Sequence, residues 1–224
     1  RDSYSTCDSI HKHFSSLEEK EPIRVISDES GPITLFKRNL RGEIIVKLNT
    51  GDRFWCQYAY QMAHEFCHIL CGFKNGSRRN LWFEETLCEM ASMFALKSMA
   101  ETWKTHPPYA NWKSYSSAIE NYLNDIELKN RLPSGTSLKN YYKKNAKTLA
   151  ENATNRPMNG KVAAELLVAF ETNPEHWASI RYINQGKAKK DIPFKEYLKN
   201  WLEVSPKKHH IFIYSIARKL GISL

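Results

Sequence analysis

The sequence predicts an α+β fold, with a small N-terminal sheet followed by helices for the remainder of the chain. Short β-branched runs separated by turn residues fall within the first fifty positions. Apolar residues at helical spacing take over from Arg53 onward. No apolar run approaches the ~20 residues that a membrane-spanning helix needs. The longest, 162–170, is interrupted by Glu165.

Taken in order, Ile23, Val25 and Ile26 mark one strand, and 43–49 marks another with Ile44, Ile45 and Val46 at its centre. Ser30, Gly31 and Pro32, then Arg41 and Gly42, supply the turns. The second strand runs into Thr50, Gly51 and Asp52, and Asp52 is suited to cap a helix. A helix is predicted over 53–71, its apolar stripe formed by Trp55, Tyr58, Ala59, Met62, Phe66, Ile69 and Leu70, with Gly72 as its stop. A second helix is predicted over 81–103 with Asn80 as cap, closed by Pro107 and Pro108. Further helices are predicted over 112–128, 137–151, 160–171, 174–184, 192–204 and 206–220. The division expected is an N-terminal subdomain, 1–104, and a helical C-terminal subdomain, 105–224.

Composition narrows the function classes. An apolar fraction of 42% over 224 residues supports a packed core and excludes a disordered chain. The formal charge of +9 concentrates in 139–147, 187–190 and Lys207–Lys208. These runs border helical sequence and lack the glycine and aromatic pattern of RNA-binding sheets, so they predict solvated faces and no specific nucleic-acid partner. Cys7, Cys56, Cys67, Cys71 and Cys88 are odd in number and form no CxxC pair. Free thiols in a reducing compartment are expected, although a first residue of Arg1 leaves export open. The chain is expected to be a monomer.

The chemistry centres on His64, Glu65, Phe66, Cys67 and His68, an HExxH sequence. Residues four apart on a helix lie one turn above each other on one face, so two imidazoles can converge on one cation. Glu65 stands beside them, where a general base for activated water belongs. Gln57, Gln61, His64, Glu65 and His68 share the side opposite the apolar stripe; the bland alternative is a polar surface face. Downstream, Glu85, Glu89 and Ser92 share a face of the next, mostly apolar helix. Acidic groups there are costly to bury unless paired or metal-bound. Glu85 can complete a His₂Glu metal site, and Glu89 can hydrogen-bond a ligand imidazole.

His64-Glu65-x-x-His68 followed by Glu85-x-x-x-Glu89 resembles the gluzincin group of zinc peptidases, which includes the thermolysin-like and membrane-alanyl-aminopeptidase-like enzymes. The stretch Trp82, Phe83, Glu84, Glu85, Thr86 is similar to the W-L-N-E-G element of the aminopeptidases, whose Glu is the third ligand; this implies Glu85 in that role. The matching motifs cover about 63–95. The resemblance implies a zincin-like fold, one catalytic Zn2+ held by His64, His68 and Glu85, Glu65 as catalytic base, and Glu89 behind the first ligand. It further implies that the strand 43–49 lines the site and pairs with an extended peptide. The chain departs from the family in several ways. The G-x-M-E-N element is absent, Glu84 replaces Asn, Thr86 replaces Gly, and no third His follows His68.

The activity so implied is zinc-dependent hydrolysis of peptides or proteins, with Glu65 moving the proton from water to the leaving amine. Tyr141, Tyr142, His106 and His176 are candidates for a second oxyanion donor, Tyr142 being preferred by its distance downstream. His209 and His210, adjacent on a helix, do not converge and are expected at the surface. The alternative is a catalytically inactive zincin-like binding module, against which the intact Glu65 argues.

Overall fold

The computed structural model describes residues 2–14, 22–51, 54–73, 76–186 and 191–224, with side chains from Thr6 onward. The expected cap Asp52, the first residue of the predicted helix, Arg53, and the basic run 187–190 lie outside them. The fold is α+β: α1 (Asp2–His11), β1 (Ile23–Ser27), β2 (Ile33–Leu35), β3 (Ile44–Leu48), α2 (Trp55–Leu70), α3 (Leu81–Trp103), α4 (Tyr115–Lys129), α5 (Leu138–Glu151), α6 (Arg156–Thr172), α7 (Phe194–Val204) and α8 (His210–Lys219). Short 3-10 segments occupy Arg78–Asn80, Ala110–Trp112, Pro174–Tyr182 and Lys207–His209. Among the described residues, no helix is long and apolar enough to cross a membrane.

The chain forms two compact units, one of Arg1–Ile69 and Ala91–Lys129, the other of Leu70–Met90 and Asn130–Leu224. In the first, the sheet has the order β1-β3-β2. β3 runs parallel to β1, with Val25 opposite Val46, and antiparallel to β2, with Thr34 opposite Val46. Alternation along β3 buries Ile44, Val46 and Leu48 on one face. This topology corrects the expectation for 43–49. β3 is the central strand with a ladder on each side, so it has no edge to offer a peptide. The edge strands are β1 and the three-residue β2 instead.

Helix α1 was not expected. Its buried residues include Thr6, Ser9 and Ile10, with Phe14 just beyond. Thr6 donates its hydroxyl to the Met99 sulfur at 3.3 Å, and Ser9 donates back to the Thr6 carbonyl at 2.7 Å. Two hydroxyls on the buried face blur the apolar period that would have revealed the helix. Elsewhere in this unit the Trp112 ring lies 5.7 Å from both Trp55 and Trp103, binding the start of α2, the end of α3 and the following segment into one aromatic cluster.

In the second unit the core gathers Phe83, Phe170, Trp177, Ile180, Leu198 and Trp201, all fully buried. The Trp201 indole donates to the Ser179 carbonyl at 2.8 Å, which satisfies its one polar atom. Ser137 caps α5 by accepting from the Asn140 N–H, and Asn155 caps α6 by accepting from the Met158 N–H. The expected helix over 160–171 therefore starts four residues earlier than its sequence suggests, at Arg156. Pro157 sits in its first turn, where a proline has no intrahelical bond to lose.

Candidate metal centre

His64, Glu65 and His68 lie in the last two turns of α2, where regular helical pitch stacks the two imidazoles. Their ring centroids are 5.2 Å apart and their planes inclined by 67°. His64 and Glu65 are each 3% exposed and His68 9%. A solvated polar face is thereby excluded: the motif is buried, where ionisable groups need partners or a ligand.

The sheet positions this turn. Thr34, on the edge strand β2, donates its hydroxyl to the backbone carbonyl of Glu65 at 2.9 Å. Phe36, just past β2, presents its ring edge-on to His68 at 6.3 Å. Gln61, one turn before Glu65, exchanges two hydrogen bonds with the backbone of Asn49, accepting at 2.9 Å and donating at 2.8 Å. The end of β3 and the middle of α2 are thus held in register. Gly72, at φ 103°, ends the segment in a conformation that disfavours side chains.

Helix α3 begins at Leu81 and ends at Trp103, as its pattern predicts. The Asn80 amide donates to Ser77 Oγ and to the Ile192 carbonyl, both at 2.9 Å. Glu84 is buried, and its carboxylate accepts from the Asn184 amide at 2.7 Å. Asn184 also donates to the Cys71 carbonyl at 3.2 Å and accepts from the Tyr197 hydroxyl at 3.1 Å. Burial, with the Glu84 charge added, holds the Tyr197 phenol well above its usual range.

Glu85, the next residue, is half-buried. Glu89 is 3% exposed, with the Arg156 guanidinium 3.8 Å from its carboxylate. Ser92 donates to the Tyr60 carbonyl at 2.8 Å. Cys88, three residues after Glu85 on α3, is fully buried and in no disulfide. It was set aside in the sequence because it belongs to no CxxC pair; the signal available was its spacing from Glu85, which puts it one turn on.

The candidate oxyanion donors fall in varied surroundings. Tyr142 stacks on Trp82 at 5.6 Å and lies 5.6 Å from Phe194, and burial raises its phenol above the ordinary value. It is part of an aromatic cluster. Tyr141 is half-buried. His106 is exposed, its Nδ1 2.8 Å from the Thr105 hydroxyl. His176 faces His209 across 2.9 Å. The expectation that His209 and His210 lie at the surface is therefore corrected for His209, which is 1% exposed and contacts a residue remote in sequence. His210 is half-buried, its Nε2 2.9 Å from the Ser205 carbonyl. Compared with known proteins, the chain matches no protein family, no curated sequence and no solved structure.

Proposed function

We propose that this chain is a zinc-dependent peptidase of gluzincin type, with a zincin-like arrangement of sheet and helices around the motif. The observation that carries the proposal is the buried His64–Glu65–His68 turn, its imidazoles stacked at 5.2 Å and its backbone held by the edge strand. Two aligned imidazoles with a buried carboxylate beside them fit a divalent ion of borderline softness.

His64 and His68 supply two ligands, and α3 supplies the third. Glu85 is the donor assigned by motif spacing. Cys88, one turn further along α3, is its chemical rival, because a thiolate is also a ligand for zinc. A carboxylate donates less charge than a thiolate and leaves the ion a stronger Lewis acid, which favours Glu85 in a hydrolytic site. Glu85→Gln and Cys88→Ala, compared for bound metal, separate the two. In the Co2+-substituted protein, a thiolate charge-transfer band would mark Cys88.

Bound zinc would supply Lewis acidity, acidifying a water and polarising the scissile carbonyl. Glu65 removes the proton from the attacking water as the C–O bond forms. It returns that proton to the amide nitrogen as the C–N bond breaks, releasing a carboxylic acid and an amine. In this reading the substrate backbone adds to the outer edge of β2, the strand tied to Glu65 through Thr34. An extended peptide added there would hydrogen-bond to Ile33 and Leu35 rather than to β3. The proposal is tested by Glu65→Gln, which retains both imidazoles and removes the base.

A further inference from the structure

The second unit holds another imidazole pair, and it is distinct from the motif on α2. His176 lies in the 3-10 segment Pro174–Tyr182, and His209 ends the 3-10 turn Lys207–His209. Their Nδ1 atoms face each other at 2.9 Å. The ring centroids are 5.2 Å apart and the planes inclined by 73°. These values nearly repeat the 5.2 Å and 67° of His64 and His68, although no helical pitch imposes them.

The rings are held in place. Phe212, on α8, stacks on His176 at 4.5 Å with an inclination of 22°, and it meets Phe170 of α6 at 4.7 Å. His209 is 1% exposed, while the His176 side chain is 16% exposed. On the far side of the His176 ring, Nε2 lies 3.7 Å from the Glu175 carboxylate. That neighbour favours a proton on Nε2 and leaves the Nδ1 lone pair directed at His209. Metal-binding imidazoles characteristically hand their other N–H to a carboxylate in this way.

We propose that His176 and His209 form a second metal site, binding a borderline transition-metal ion such as Zn2+ or Cu2+ through both Nδ1 atoms. Two nitrogens bound to a tetrahedral ion at ~2.0–2.1 Å stand roughly 3.3 Å apart. Opening the pair by about 0.4 Å therefore admits an ion in place of the proton between the rings. That proton moves from Nδ1 to Nε2 of the His209 ring, so binding changes no charge on the protein. Water would complete the shell. Nitrogen donors select zinc, copper or nickel over magnesium or calcium. The inference is independent of the peptidase proposal.

The test is Zn2+ titration of the purified chain, with bound metal counted by elemental mass spectrometry. Two ions per chain are expected in the wild type, one in His176→Gln and one in His64→Gln. Glu175→Gln retains both imidazoles and should weaken the second ion about tenfold or more. Wild-type stoichiometry in His176→Gln would overturn the site. If that variant does not fold, the ring nitrogens of the wild type decide the matter: Zn2+ must shift both Nδ1 resonances, and resonances that stay in place overturn the site. Failure of the peptidase centre alone would read differently, as a single ion kept in His64→Gln and lost in His176→Gln.

Discussion

Thr34 donates its hydroxyl to the backbone carbonyl of Glu65 across 2.9 Å, joining the edge strand of the sheet to the turn of α2 that carries the proposed base. Both residues are buried, so the bond is shielded from water. It adds to the ladder with β3 in fixing the position of β2.

Thr34→Val preserves the side-chain shape and deletes this bond. It is expected to cost about 1 kcal/mol of stability, measurable as a lower denaturant midpoint at unchanged slope. Bound metal should be unchanged while peptide cleavage falls, because the edge strand loses its register with Glu65. Thr34→Ser should restore both. A variant with full activity and full stability would remove the sheet from the account of the site.

Asn184 connects Glu84, the Cys71 carbonyl and the Tyr197 hydroxyl. Asn184→Ala withdraws partners from buried polar groups and is expected to destabilise by about 2 kcal/mol or more, read by thermal or chemical denaturation. Gly76→Ala should act on the same network, since a Cβ there would collide with the Asn184 amide, which its hydrogen bonds hold in place. A neutral Gly76→Ala would show that the amide is free to move.

Burial, reinforced by the charge of Asp8, pushes the Cys7 thiol up to about 12. At pH 8 roughly one molecule in ten thousand then carries the thiolate that alkylating reagents attack. Iodoacetamide should modify Cys7, which is half-buried, more slowly in the folded chain than in denaturant, as judged by peptide mapping. Rapid labelling of folded protein would contradict the burial of α1.

Asp28 accepts from the Ser30 hydroxyl, pairs with Lys47 at 2.9 Å and accepts from the Ser30 N–H, and together these hold its carboxyl below the usual range. A carboxyl lowered by folding binds fewer protons in the native state. Its contribution is therefore present above the unfolded value, about 3.9, and is lost as pH falls through the folded one. Asp28→Asn should lower the melting temperature more at pH 7 than at pH 2, which lies below the unfolded value and where part of the contribution is already lost. An equal loss at both would assign the effect to packing.

Much of this was legible in the sequence because it is local. The ends of α3, the two longer strands and the HExxH spacing follow from periodicity within one element. The stripe expected on α2 does not mark its buried face, since Trp55 is exposed and His64, Glu65 and His68 are buried. What escaped is non-local or too short for a period. Ile33, Thr34 and Leu35 make a strand only by pairing with β3, and that pairing moves β3 from the edge to the centre of the sheet. The two buried hydroxyls of α1 concealed its face. His209 was judged against its neighbour His210, whereas its partner is 33 positions earlier in the chain.

The most direct measurement pairs metal content with peptide cleavage in Glu65→Gln. The proposal predicts that the variant keeps its zinc, through His64 and His68, and loses turnover on a mixed peptide library by at least ~100-fold. Cleavage at the wild-type rate with zinc still bound would contradict the role given to Glu65.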